Sequence, residues 1–295
     1  MAEQVFGGSW TEEKLTRLRK YLEAYTVIFT RNPKAKLLRR IYVDAFAGSG
    51  IRSSDVGDAE LQDGRMFEED RDALGFMKGS ARVALEIDPP FHRYLFIEKD
   101  PDFAGELGKL RLEFPTLSDR IEIRNEDANT VLVDWTRGTS WQGQRAVVFL
   151  DPYGMQVEWE TIECIAQTRA IDLWLLFPLG QGVNRLLTRH GPPPQAWADR
   201  LTTMFGTDSW RDAFYRPSDQ LELFFDEPQL EKSASFDSIM QFFLDRLNSI
   251  FASVAPNPLV LRNSRNNPIF LLCFAAANEK GAPTAVRIAK SLLKE

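Results

Sequence analysis

Apolar side chains at Leu15, Leu18, Tyr21, Leu22, Tyr25 and Ile28 recur at helical spacing and predict an amphipathic helix of about five turns. Thr11 followed by Glu12, Glu13 and Lys14 supplies its N-cap and first turn. The period then changes. Ile41-Tyr42-Val43-Asp44 is a short, largely apolar, β-branched run, which reads as a buried strand ending on a carboxylate. A polar segment from Ile51 to about Lys78 reads as a loop over a ligand, that is, a lid, and a helix near Ser80–Glu86 follows it. Strand patterns return at Arg93–Glu98, Ile121–Arg124, Ala146–Leu150 and Ile171–Phe177. Helices are expected from Lys99-Asp100-Pro101 to about Glu113 and over Trp159–Thr168.

Five strand-helix units in succession predict an α/β fold with a doubly wound, mostly parallel sheet whose ligands gather at the carboxyl ends of the strands. Residues 181–254 are Trp- and Phe-rich with helical spacing, most clearly from Phe236 to Phe251, and form a helical insertion, read as a substrate or partner region. Its aromatic residues (Trp197, Phe205, Trp210, Phe214, Tyr215, Phe224, Phe225) are expected to be core. Two closing strands, Pro258–Leu261 and Pro268–Ala275, and a helix over Ala285–Leu293 return the chain to the main domain, which comprises 1–180 and 255–295.

Composition narrows the class. The chain has 295 residues, 44% of them hydrophobic, enough for a sizeable core. No apolar run approaches the roughly 18 residues of a membrane span, and Met1-Ala2-Glu3-Gln4 lacks a signal-peptide layout, so no membrane association and a cytoplasmic location are expected. Cys164 and Cys273 lie in separate apolar stretches, as buried small hydrophobes do, and with His92 and His190 as the two histidines no metal site is expected. The net charge of −6 excludes a uniformly basic surface. Charge is nevertheless segregated: Arg31, Lys34, Lys36, Arg39 and Arg40 crowd before the first strand, whereas 55–72 and 219–237 are acidic. The basic segment is either a nucleic-acid contact or a solvated connection.

The candidate chemistry lies where the strand patterns stop. After Asp44 come Phe46, Ala47, Gly48, Ser49 and Gly50, a glycine turn that lets backbone pass close to a cofactor. Glu98 ends the second strand, where an ionised carboxylate can accept from both hydroxyls of a ribose. Asp127 and Ala128 follow the third strand, with Asp127 placed to accept from an adenine amine. Asp151-Pro152-Tyr153-Gly154 closes the fourth.

In this order the motifs resemble the Rossmann-like, class I S-adenosylmethionine-dependent methyltransferases. Asp44-Ala45-Phe46-Ala47-Gly48-Ser49-Gly50 is similar to the cofactor motif of amino-methyltransferases acting on DNA or RNA, and Asp151-Pro152-Tyr153-Gly154 to their D-P-P-Y motif. The resemblance implies S-adenosylmethionine as cofactor. Asp151 and the Pro152 carbonyl would hold the hydrogens of an exocyclic amine, and Tyr153 would stack on an extruded base. Over most of its length the chain also resembles the three-Cys-motif partner family (TcmP), through Lys20–Tyr25, Tyr42–Gly48, Phe96–Asp100, Val148–Met155, Leu175–Gly180 and Gly182–Arg185. That family implies a neighbour carrying three cysteines, itself similar to a radical S-adenosylmethionine enzyme. Expected substrate contacts are Lys34, Lys36, Arg39, Gly154, Asn184 and Arg185, with nucleic acid as the partner. The chain departs from the nucleic-acid enzymes in having one proline instead of two in the D-P-P-Y position and a long segment after Gly50. Two classes of function stand open: a base N-methyltransferase, or a partner subunit that keeps the fold without turnover.

Overall fold

A computed structural model describes residues 9–46, 79–152, 154–218 and 230–294. The fold is α/β with a mixed, mostly parallel sheet. The chain divides into two compact units, 1–131 with 140–153 and 132–139 with 154–295.

In the first unit helix α1 spans Ser9–Arg31, strand β1 Arg39–Ala45, helix α2 residues 79–85 and strand β2 Arg93–Ile97. Helices α3 (Pro101–Gly108) and α4 (Leu110–Glu113) precede β3 (Ile121–Arg124); α5 (Ala128–Gly138) leads to β4 (Gln144–Leu150). The strand order is β3-β2-β1-β4, and every pair is parallel. The single helix expected from Lys99 to Glu113 is therefore two helices meeting at Lys109. Asp100 caps α3, accepting from the amides of Asp102 and Phe103, and Pro101 takes the first helical position, where no amide hydrogen is needed.

The α1 stripe Leu18, Tyr21, Leu22 and Tyr25 is buried, as its spacing requires. Tyr25 stacks on Phe91 at 5.9 Å between ring centroids; Phe91 also meets Tyr42 of β1 at 5.8 Å and Tyr94 of β2 at 5.9 Å. Each ring so buried contributes roughly 1.5–3 kcal/mol, which fixes α1 to β1 and β2. A Cβ on Gly79 would stand 2.8 Å from Leu15 Cδ1, so α2 packs close against α1.

The second unit holds α6 (Trp159–Gln167), β5 (Ile171–Phe177), a π-turn at Leu179–Val183, α7 (Asn184–Leu186), α8 (Gln195–Phe205) and α9 (Trp210–Phe214). Strands β6 (Tyr215–Pro217) and β7 (Leu230–Lys232), helix α10 (Phe236–Asn248), strands β8 (Ser253–Val254), β9 (Leu259–Arg262) and β10 (Pro268–Ala276), and helix α11 (Ala282–Leu292) complete it. Here β10 runs antiparallel to β5, β8 and β9. The segment read as wholly helical also carries the antiparallel β6–β7 pair, three residues to a strand. Phe205, Trp210, Phe214 and Tyr215 are core as expected, with Phe177 stacked on Phe243 at 3.9 Å, and Trp197 is half-buried; Phe224 and Phe225 lie outside the described residues. Cys164 and Cys273 are buried and free.

Candidate functional site

The register of the parallel strands decides what stands together. Ala45 of β1 is level with Ile97 of β2 and Leu150 of β4. The next residue of each strand, Phe46, Glu98 and Asp151, therefore forms one row at the carboxyl edge. With strands about 4.8 Å apart, the Glu98 and Asp151 backbones flank β1 with roughly 10 Å between them. Asp44 lies two residues before Phe46 on the strand between them.

Each acid has a distinct environment. Glu98 is 1% exposed. Its Oε1 accepts from the Asp100 amide at 2.6 Å, while its Oε2 makes no hydrogen bond of normal geometry. Burial pushes this carboxyl up to about 7, partly offset by the Asp100 amide. Asn125 Nδ2 donates to the carbonyls of Glu98 and Lys99 at 2.9 Å and holds the chain as it leaves β2.

Asp44 is fully buried, and its Oδ2 accepts from Tyr42 Oη at 3.2 Å. Oδ1 makes no hydrogen bond of normal geometry. Burial raises the carboxyl to about 7; the Ser80 and Tyr42 hydroxyls and the Lys14 ammonium oppose that rise, and the charge of Asp151 adds to it. Burial likewise raises Tyr42, with Asp44 adding to the effect, so the phenol keeps its proton.

Asp151 is paired. Lys14 Nζ reaches its Oδ1 at 2.8 Å and its Oδ2 at 2.9 Å, and the two side chains are 1% and 10% exposed. Burial raises the Asp151 carboxyl and lowers the Lys14 ammonium, and each is partly restored by the other. The same ammonium lies 5.1 Å from the ring centroid of the half-buried Trp10. Sequence reasoning assigned Lys14 only to the first turn of a helix. The signal was present: Lys14 precedes Leu18 by four residues and Tyr21 by seven, on the apolar stripe itself.

Phe46 takes φ 64°, a left-handed turn by a residue with a Cβ, at the point where β1 ends. Such backbone costs about 1–3 kcal/mol and is common beside ligands. Ala47, Gly48, Ser49 and Gly50, the expected cofactor turn, lie outside the described residues, as do the segment read as a lid and Tyr153. Pro152 is buried. Asp127 is half-buried and caps α5, its Oδ1 accepting from Thr130 N at 3.1 Å and Thr130 Oγ1 at 3.3 Å; Ala128 opens that helix, buried.

The expected basic contacts lie away from this edge. Lys34, Lys36 and Arg39 are exposed at the amino end of β1, six residue steps and roughly 20 Å along the strand from its carboxyl end. Arg40 does not belong to that basic face: it is buried, donating through Nη2 to Pro90 O at 3.0 Å and through its amide to His92 Nδ1 at 3.0 Å. Gly154, Asn184 and Arg185 belong to the second unit. Gly154 has φ 74°, Asn184 accepts from Lys232 Nζ through Oδ1 at 2.7 Å and through its carbonyl at 3.1 Å, and Arg185 is exposed.

No protein-family model matches the chain, and no curated protein matches its sequence. Solved structures resemble it in fold. The Legionella pneumophila protein LPL1258, of family model DUF519, is 12% identical over 98% of this chain and 92% of that one, with a TM-score of 0.46. Spermidine synthase in complex with the transition-state analogue AdoDATO is 9% identical over 92% of this chain and 60% of its own, with a TM-score of 0.40. The magnesium protoporphyrin IX methyltransferase ChlM of Synechocystis, with bound SAH, is 11% identical over 88% and 84%, with a TM-score of 0.37. At these values the likeness carries no argument, and the functional reading rests on the strands and residues described above. No helix among the described residues is long and apolar enough to cross a membrane.

Proposed function

We propose that the first unit binds S-adenosylmethionine at the carboxyl ends of β1, β2 and β4 and that the protein transfers its methyl group to an exocyclic amine of a nucleic-acid base, with a three-cysteine-motif protein as partner. The observation that carries this reading is Glu98: a buried carboxylate at the end of β2 with one oxygen fixed by the Asp100 amide and the other without a hydrogen bond. An acceptor held in this way fits the hydroxyls of a ribose, and burial without such a partner is costly. Phe46 takes a left-handed conformation where the neighbouring strand ends, the kind of backbone common beside ligands. Asp127, at the start of α5, is the residue that reaches the adenine.

Bound there, S-adenosylmethionine would supply a methyl group on an electrophilic sulfonium. The protein's task is then to hold and deprotonate the amine. A base amine has its lone pair delocalised into the ring, and acceptors for its hydrogens bias it toward a tetrahedral nucleophile. Asp151 and the Pro152 carbonyl serve as those acceptors, Asp151 takes the proton that the amine loses, and Tyr153 stacks on the base.

A specific contact favours a second reading. Both Asp151 oxygens already accept from Lys14, as they would in a partner subunit that binds the cofactor or a nucleotide and has no turnover. Calorimetry with S-adenosylmethionine on wild type and Glu98→Gln tests the binding site. A loss of about 1.5–3 kcal/mol is expected, the scale of a hydrogen bond to a charged group. Equal affinity in a folded variant removes Glu98 from the site. Methyl transfer to mixed DNA and RNA, with and without the three-cysteine protein, separates enzyme from silent subunit.

A further inference from the structure

We propose that Lys14 is the positioning residue of Asp151, holding it as an aimed, ionised acceptor that serves an uncharged amino group. The inference rests on the methyl-transfer reading for its consequence in rate, but the pairing itself is a property of the protein alone.

The geometry makes Lys14 and the substrate compatible. A carboxylate offers about four lone-pair sites, two on each oxygen. An ammonium nearly equidistant from Oδ1 and Oδ2, at 2.8 and 2.9 Å, takes the two that face each other. One outward site then remains on each oxygen, which is what the hydrogens of an amine require. Lys14 also fixes the direction in which those sites point, because α1 is tied to β1 and β2 through Tyr25 and Phe91.

The same cluster contains its own control. Asp44 is fully buried, where the Asp151 side chain is 10% exposed, and it has no cation directly on it; its carboxyl is pushed up to about 7. A carboxyl in that condition is partly protonated at neutral pH and presents a donor where the amine needs an acceptor. Among the described residues the charged and titratable groups facing Asp151 are Lys14 from α1, whose ammonium it pairs with, and Tyr42 and Asp44 from β1, which feel its charge. Ser80 of α2 bears on Asp44. Lys14 is thus the group that keeps Asp151 an acceptor. It also selects the substrate class: a fixed positive charge beside the acceptor opposes a protonated alkylamine and tolerates a neutral amine conjugated to a ring.

The test uses the full chain, carboxyl-carbon NMR of aspartate-labelled protein and methyl-transfer kinetics, with Lys14→Met and Lys14→Arg. The Asp151 resonance is assigned by its loss in Asp151→Asn. In wild type Asp151 is expected to be ionised at pH 7, while Asp44 titrates near that pH. In Lys14→Met the Asp151 midpoint moves up, and in Lys14→Arg, which can also face both oxygens, it returns toward wild type. In rate, Lys14→Met is expected to lower kcat at pH 7 by about 10- to 100-fold with KM changed far less, and to shift the acidic limb of the pH profile upward. Lys14→Arg restores both in part. An Asp151 protonated at pH 7 in wild type overturns the inference even if neither Lys14 variant folds. So does a midpoint unmoved in Lys14→Met. If wild type transfers no methyl group, the methyl-transfer reading fails while the NMR result still decides the role of Lys14.

Discussion

Replacing Asp44 by asparagine should change how stability depends on pH, and the size of the effect follows from burial. The Asp44 carboxyl, ordinarily at 3.8, is raised to about 7 in the folded protein. An acid whose folded value is raised holds its proton more tightly in the folded state, so its contribution is present at low pH and lost as pH rises through the folded value. With that value at 7, the proton stabilises the folded state by RT ln 11, about 1.4 kcal/mol, at pH 6 and by less than about 0.1 kcal/mol at pH 8. Asparagine has no such dependence.

Urea unfolding of both proteins at pH 6 and pH 8 measures this directly. The stability of wild type relative to Asp44→Asn should fall by about 1.3 kcal/mol between the two pH values. Taking the difference between the two proteins removes groups common to both, among them Glu98, which acts in the same direction, and His92, which burial pushes down. If the two proteins lose or gain stability in parallel from pH 6 to pH 8, Asp44 is already ionised at pH 6 and the account of its burial is wrong.

Two further substitutions address the proposed chemistry. Asp151→Asn should leave the calorimetric affinity for S-adenosylmethionine within about twofold and lower methyl transfer by roughly 100-fold or more if, as proposed, its contacts are to the amine; a matching loss in cofactor affinity would place Asp151 on the cofactor instead. Changing Lys34, Lys36 and Arg39 together to glutamine should flatten the salt dependence of nucleic-acid binding by nearly one unit of slope per lost phosphate contact, and a slope equal to wild type would leave them as a solvated face.

The strand-end acids were legible for a physical reason. A buried strand is an apolar run, and an ionisable residue just past it marks where the strand stops, as Glu98 and Asp151 do, whereas Asp44 lies one residue inside β1 and is fully buried. What stayed hidden depended on tertiary context. Arg40 looks like its neighbour Arg39, and only the carbonyl of Pro90 shows why one is buried while the other is exposed. The β6–β7 pair, with three residues to a strand and Pro217 in one of them, is too short for any alternation to register. The left-handed turn at Phe46 was equally hidden, because no propensity points to it. Lys14 was visible as a charge on an apolar stripe, but its partner is 137 residues away and no local pattern names it.

Burial without full satisfaction is what links the fold to the proposed site. Capping the turn after β2 needs one acceptor, and Glu98 Oε1 supplies it to the Asp100 amide; a neutral glutamine in that place could accept the same bond without a buried charge. The second oxygen, on a residue 1% exposed, makes no hydrogen bond of normal geometry, and its lost hydration costs about 1–3 kcal/mol. Asp44 is similar one strand away: Oδ2 accepts from Tyr42, the Ser80 hydroxyl also bears on the carboxyl, and Oδ1 makes no hydrogen bond of normal geometry. Two leftover acceptors on adjacent strands, both on acids pushed up to about 7, are a destabilising arrangement in the protein alone. On the proposed function, a ligand with a pair of hydroxyls and a positive centre would reverse the sign of each term: it would satisfy Glu98, favour the ionised form of Asp44, and leave Asp151, already balanced by Lys14, to act on the amine.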